Sequence, residues 1–174
     1  MKFLADLDAR LYMIFSRLEE RWELYRIARV ISFSGDGYAY ILVAIIALIA
    51  DASTGLALTK VGLLAVGMEL PLYLFLKKFF KRRRPYNVVT SIEQIHTPSD
   101  EFSFPSGHTT AGFMVAYLVV QFFPWAVVPM YLWATLIGLS RVILRVHFVS
   151  DIIAGAALGT VLGILAVSLL GYSV

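Results

Sequence analysis

Three short clusters hold the side chains of this chain that could do chemistry: Lys77 with Arg84-Pro85, then Pro105-Ser106-Gly107-His108, then Ser140-Arg141 with His147 and Asp151. Together they supply cations, histidines, a carboxylate and a glycine turn. Opening a phosphate ester calls for such a set. Cations hold the equatorial oxygens, a nucleophile attacks phosphorus, an acid protonates the leaving group, and a further group orients the nucleophile.

Alone, each cluster has a plainer explanation. Lys77 and Arg84 lie seven apart, close to two helical turns, and share a face if the helix continues that far. Pro85 disfavours helical geometry at Arg84 and should end the helix there. Such a pair would also serve as an ordinary basic membrane anchor. Ser106 reads as an N-cap, and Gly107 lets backbone approach a ligand closely. The N–H groups of that helix start, with His108 in its first turn, suit an anion. His147 and Asp151 are i and i+4, so the carboxylate can orient the ring and raise the basicity of its far nitrogen. Arg141 can clamp two phosphate oxygens at once.

The elements that must position these residues are membrane helices. Of the 174 residues, 59% are hydrophobic and 16% charged, with mean hydropathy +0.77. A soluble domain of this size cannot hide that much apolar surface, so the bilayer must act as solvent. The net charge of +3 is unevenly spread, with Lys77, Lys78, Lys81, Arg82, Arg83 and Arg84 close together. The absence of cysteine excludes disulfides and thiolate metal sites. Asp6, Asp8 and Arg10 interrupt any signal-peptide core at the start.

The expected fold is an all-α integral membrane bundle, with residues 1–174 as a single domain. Residues 1–34 read as an interfacial amphipathic helix and turn, with Leu4, Leu7, Leu11, Ile14, Phe15, Leu18 and Trp22 at helical spacing. Ser34-Gly35-Asp36-Gly37 breaks that pattern. About five spans follow, near Tyr38–Ala50, Leu56–Leu76, Gly107–Phe123, Trp125–Leu139 and Ile152–Leu170. Phe123-Pro124-Trp125 is a tight reversal, and 84–104 is a loop. With that count, the loops after the second and fourth spans share one face, and the catalytic region 77–151 converges there. Glu69 reads as a structural partner inside the bundle, unpaired with Lys60. Gly155, Gly159 and Gly163 form a small-residue ladder for close packing, with a dimer interface as the alternative. His96 matches no motif.

The three clusters resemble the signature of the type-2 phosphatidic-acid phosphatase and vanadium haloperoxidase superfamily: Lys-x6-Arg-Pro, Pro-Ser-Gly-His and Ser-Arg-x5-His-x3-Asp. The match runs from Lys77 to Asp151 without a departure at the eleven named positions. The resemblance points to the small membrane-embedded lipid phosphatase branch. It implies that His147 forms a phosphohistidine, oriented by Asp151, and that His108 protonates the leaving oxygen. Lys77, Arg84, Arg141 and the Ser106-Gly107 backbone would hold the equatorial oxygens. No metal and no cofactor is then required, because the cations supply the electrostatic stabilisation.

The implied partner is a lipid phosphate in the bilayer, with no nucleic acid. Phosphatidic acid, phosphatidylglycerophosphate, a polyprenyl diphosphate and the lipid A phosphate all present the same terminal group. Arg82 and Arg83 would suit a doubly phosphorylated headgroup, or simply anionic lipid. A lipid phosphotransferase using the same intermediate is the alternative. A non-enzymatic transporter or scaffold would have no use for His108 and His147 together. The oligomeric state stays open, with a monomer favoured. The resemblance suggests the outer face of a bacterial plasma membrane, against the positive-inside rule, because several of the cations serve chemistry.

Overall fold

Apolar runs broken by polar turns give a wholly helical chain among the described residues. These are 8, 10, 11, 22–88 and 100–172 of a computed structural model. The helices are α1 (Trp22–Phe33), α2 (Gly37–Ala50), α3 (Ala52–Phe80), α4 (Pro85–Val88), α5 (Gly107–Phe122), α6 (Val127–Ile143) and α7 (Val149–Leu169). A 3-10 turn at Pro124–Ala126 makes the expected reversal between α5 and α6. Among the described residues, three helical stretches are long and apolar enough to cross a membrane: 52–88, Pro124–Ile143 and Val149–Leu169. Their outer faces carry Leu63, Val66, Leu70, Ile153, Val161 and Leu165 exposed, as lipid-facing surfaces require.

The N-terminal region is described only in part. Most of the predicted interfacial helix lies outside the described residues. Its described end, α1, packs on α6 and continues into α2 through a 57° bend, and the two together are long and apolar enough for one span. The reason lies in a narrow stripe: Tyr25, Ala28 and Ser32 are buried at helical spacing, the first two against Leu144 and Val146. The 34–36 turn is fixed by hydrogen bonds, with Ser34 Oγ donating to Ile31 O and accepting from Trp133 Nε1 at 3.0 Å.

Helix α3 starts on Asp51, whose carboxylate accepts from Thr54 N at 2.7 Å and is held down to about 2 by that bond and its neighbours. Its 29 residues span about 43 Å, more than the ~30 Å hydrocarbon core, so one end must stand clear of it. It stops at Phe80, earlier than expected, because Lys81 turns left-handed at φ 45°. Lys77 and Arg84 therefore do not share a continuous helix face. Instead, 81–84 has no helical structure and alternates in burial: Lys81 and Arg83 face out, while Arg82 and Arg84 turn inward.

The tightest packing joins α5 to α7. A Cβ on Gly155 would lie 2.7 Å from Ser106 O, and one on Gly159 only 2.0 Å from Thr110 O; on Gly163 it would meet Tyr117 at 2.8 Å. The small-residue ladder is thus used within the bundle, as expected. Glu69 is half-buried and has no hydrogen bond among the described residues, although its charge reaches Tyr40 and Tyr73; Lys60 is exposed. His96 lies outside the described residues.

A methyl group at Gly159 must force α5 and α7 apart, since the opposing atom is backbone. Gly159→Ala should lower stability in detergent by about 2 kcal/mol or more. Gly62→Ala, where a Cβ meets nothing within 4 Å, should leave it unchanged or slightly higher. Thermal unfolding of the two variants checks the contrast.

Candidate active site

Lys77 and Arg84 meet on a residue that sequence reasoning passed over, Asp100. Lys77 Nζ lies 2.8 Å from Asp100 Oδ2 and donates to Phe102 O at 2.6 Å. Arg84 Nη2 pairs with Asp100 Oδ1, its Nε donates to Asp100 O at 3.1 Å, and its Nη1 donates to Val146 O at 2.8 Å. Tyr73 adds its hydroxyl to Asp100 Oδ2 at 2.6 Å and places its ring beneath Lys77 Nζ, 4.8 Å from the centroid. Burial works against the Asp100 charge. The hydrogen bonds from Lys77 and Tyr73 and the charges of Lys77 and Arg84 outweigh it and hold the carboxyl down at about 2.

The Tyr73 ring also packs on Gly107, where a Cβ would lie 2.9 Å from Tyr73 Cε2, so the first cluster sits against the second. Ser106 occupies the N-cap position of α5, but its side chain does not cap. Its hydroxyl accepts from Thr109 Oγ1 at 2.9 Å, so the hydroxyl is not bonded to a first-turn N–H. The first-turn N–H groups have no acceptor within the helix and are open to an anion. Ser106 N donates to Asp151 O at 3.1 Å, which ties this cluster to the third.

His147 does not stand on the same helix as Asp151. Phe148 is the N-cap of α7, and His147 lies in the preceding link, where its N–H reaches Arg141 O at 3.3 Å. The two side chains still face each other, with His147 Nδ1 3.6 Å from Asp151 Oδ2. That is a charge contact, longer than a hydrogen bond, and Nδ1 has no hydrogen-bond partner among the described residues. The expected bond is displaced because Asp151 Oδ2 accepts from Phe148 N at 2.8 Å. With Nδ1 turned to the carboxylate, Nε2 points the other way. Burial, opposed by Asp151 and supported by Arg141, pushes His147 down to about 4 from 6.5, so the ring is neutral at physiological pH.

Arg82 stands behind Asp151. Its Nη1 donates to Asp151 Oδ1 at 2.7 Å and Ser150 Oγ at 2.6 Å, and its Nη2 to Asp8 Oδ2 at 2.6 Å. Asp8 in turn accepts from Ser150 N at 3.0 Å. Arg82 is thus engaged in fixing the carboxylate. Arg83 faces a cleft of about 280 Å³ shared with Asn87, Glu101 and Phe102. Arg141 donates to Ser32 Oγ at 2.5 Å, and its buried Nε has no partner among the described residues. His108 Nε2 lies 2.9 Å from Asp36 Oδ1, in the turn between α1 and α2.

Every predicted site residue therefore falls at one end of the bundle. Sequence reasoning missed Asp8, Asp36, Tyr73 and Asp100, and the positioning part played by Arg82. One signal could have found the acids: several guanidinium and ammonium groups taken out of water require counter-charges, and the segments on that face supply these aspartates.

The fold and the site define an all-helical integral membrane protein with a phosphate-type cluster of cations and histidines. The chain belongs to the PAP2 superfamily, which its residues 38–174 match. It is similar to phosphatidylglycerophosphatase B of Bacillus subtilis, with 34% identity over 58% of this chain and 52% of that one. It is also similar to a lipid A 4'-phosphatase of Porphyromonas gingivalis, with 33% identity over 51% of this chain and 40% of the relative. The chain thus spans about half the length of these relatives or less. The fold matches the crystal structure of a transmembrane PAP2-type phosphatidylglycerolphosphate phosphatase from Bacillus subtilis. That match has a TM-score of 0.77 and 24% identity, over 98% of this chain and 88% of the other.

The Asp36 contact makes it a positioning residue for His108 if that histidine protonates the leaving group. Asp36→Asn should then mimic His108→Ala in kind and be milder in degree. Both should cost more with an alkyl phosphate lipid than with nitrophenyl phosphate, whose phenolate departs without help. The expected loss with the lipid is about 10²-fold or more for His108→Ala and about tenfold for Asp36→Asn. The ratio of kcat values for the two substrates, at saturation, checks this; equal losses with both would remove the assignment.

Proposed function

We propose that this protein hydrolyses a phosphate monoester or diphosphate on a lipid headgroup, through a covalent phosphohistidine. The observation that carries this reading is the convergence of Lys77, Arg84 and Arg141 with His108 and His147 at one end of helices whose outer faces are apolar. An anchored lipid can bring its headgroup to such a site while its chains stay in the bilayer. The names of the relatives, which act on phosphatidylglycerophosphate and lipid A, support the substrate class.

His147 Nε2 attacks phosphorus, and the bond from phosphorus to the lipid oxygen breaks. His108 supplies the proton to the departing alkoxide. Water then attacks the phosphohistidine, His108 takes the proton, and inorganic phosphate leaves. Lys77, Arg84, Arg141 and the Gly107 N–H at the start of α5 stabilise charge on the equatorial oxygens, while the Ser106 N–H, expected to join them, is already donated to Asp151 O. Asp151, held by Phe148 N and Arg82, keeps Nδ1 of His147 facing inward. The cations do the electrostatic work that magnesium does elsewhere, so no metal is required in this mechanism. Among the described residues no group of three or more carboxylates and histidines is placed to hold one.

Purified protein should release phosphate from at least one of phosphatidic acid, phosphatidylglycerophosphate, a polyprenyl diphosphate and lipid A, in excess EDTA. His147→Ala should be inactive on all. Activity confined to water-soluble esters would sink the lipid assignment, and rescue of chelated enzyme by magnesium would sink the metal-free mechanism.

The chain is read as one domain, with its site at the outer face of a bacterial plasma membrane. The native chain has no cysteine, which makes that face testable. On intact cells an impermeant thiol reagent should label Glu101→Cys, beside the site, and not Ser53→Cys, at the opposite end of α3. The reverse pattern would place the site inside.

A further inference from the structure

Asp100 does to the site what a phosphate would do. Both of its oxygens are taken by cations assigned to the substrate, one by Lys77 and one by Arg84, and Tyr73 adds a hydroxyl. Its charge also reaches Arg141 and His108. The carboxylate therefore sits within the ring of groups that should surround the equatorial oxygens. It does not satisfy the whole ring, because Arg141 Nε is buried without a partner among the described residues.

We propose that Asp100 is a specificity-determining residue, an internal carboxylate that holds Lys77 and Arg84 against phosphodiester headgroups and yields them only to a phosphate of higher charge. This rests on the function proposed above. A carboxylate carries one negative charge over two oxygens, and so does the phosphate of a diester lipid. Exchanging one for the other gains little and breaks three contacts. A monoester or diphosphate brings up to two negative charges on its terminal group and a third oxygen. That extra oxygen can take Arg141 Nε and the α5 N–H groups, which Asp100 leaves open. The need for such a device follows from where the site lies. Bulk phospholipids are diesters, present at the bilayer surface in large excess over any monoester, and an uncovered pair of cations would be occupied by them.

The consequence is opposite in sign to that of a simple scaffold. If Asp100 only held Lys77 and Arg84 in place, Asp100→Asn would weaken phosphate binding. As an internal competitor, its loss strengthens binding and admits diesters. In mixed micelles, wild-type hydrolysis of phosphatidic acid should be insensitive to added phosphatidylglycerol. In Asp100→Asn the inhibition constant for inorganic phosphate should fall about tenfold, and phosphatidylglycerol should become a competitive inhibitor. Tyr73→Phe, which removes one contact to Asp100 and leaves both cations, should shift both readings the same way by a smaller factor. It keeps the test available if Asp100→Asn does not fold. Weaker phosphate inhibition in the variants with no new sensitivity to the diester would overturn this inference alone. A wild-type protein that hydrolyses no lipid phosphate would overturn the proposed function and this inference with it.

Discussion

The arrangement of this site depends on the burial of positive charge. Arg84 is 1% exposed, and Lys77 and Arg141 are 4% exposed, at one end of the bundle. Each such group costs several kcal/mol to desolvate unless a counter-charge and hydrogen bonds repay it. Asp100 does this for Lys77 and Arg84, Asp36 stands within reach of Arg141 while contacting His108, and Asp8 and Asp151 share Arg82. The acids come from the N-terminal segment, the first turn, the loop before α5 and the start of α7. Charge compensation thus ties together parts of the chain that hydrophobic packing alone would leave loosely related.

The facing pair of His147 and Asp151 is positioned by backbone as much as by side chains. The Gly155–Gly159–Gly163 face lets α7 approach α5 at backbone distance, and the same approach lets Ser106 N reach Asp151 O. The helix start that would receive phosphate and the carboxylate that faces His147 are consequently parts of one joint. A shift of α7 against α5 would move both, which explains why small residues are required along that interface.

Two layers stand behind His147. Asp151, 0% exposed, faces Nδ1, and Arg82 fixes Asp151 while its guanidinium carbon lies 4.4 Å from the centre of the Phe148 ring. Arg82 is anchored by Asp8 and Ser150. The basic run 81–84 is therefore divided by geometry. Its inward members support the site, and its outward members face the surface, where Arg83 borders an open cleft.

What the sequence by itself determined was the class of fold, the three clusters and their meeting at one end. Long apolar runs permit only helices in lipid, and motif residues next to span ends have few places to go. What only the tertiary structure decided was which neighbours those residues have. Asp100 and Asp36 lie in a loop and a turn with no periodic pattern to reveal them, and their importance arises from contacts 16 and 72 positions away along the chain. The end of α3 at Phe80, the place of His147 ahead of α7 and the bend between α1 and α2 were also beyond the sequence. Each is settled by local competition for hydrogen bonds and burial, such as the claim of Phe148 N on Asp151, and that competition depends on which surfaces the folded helices bring together.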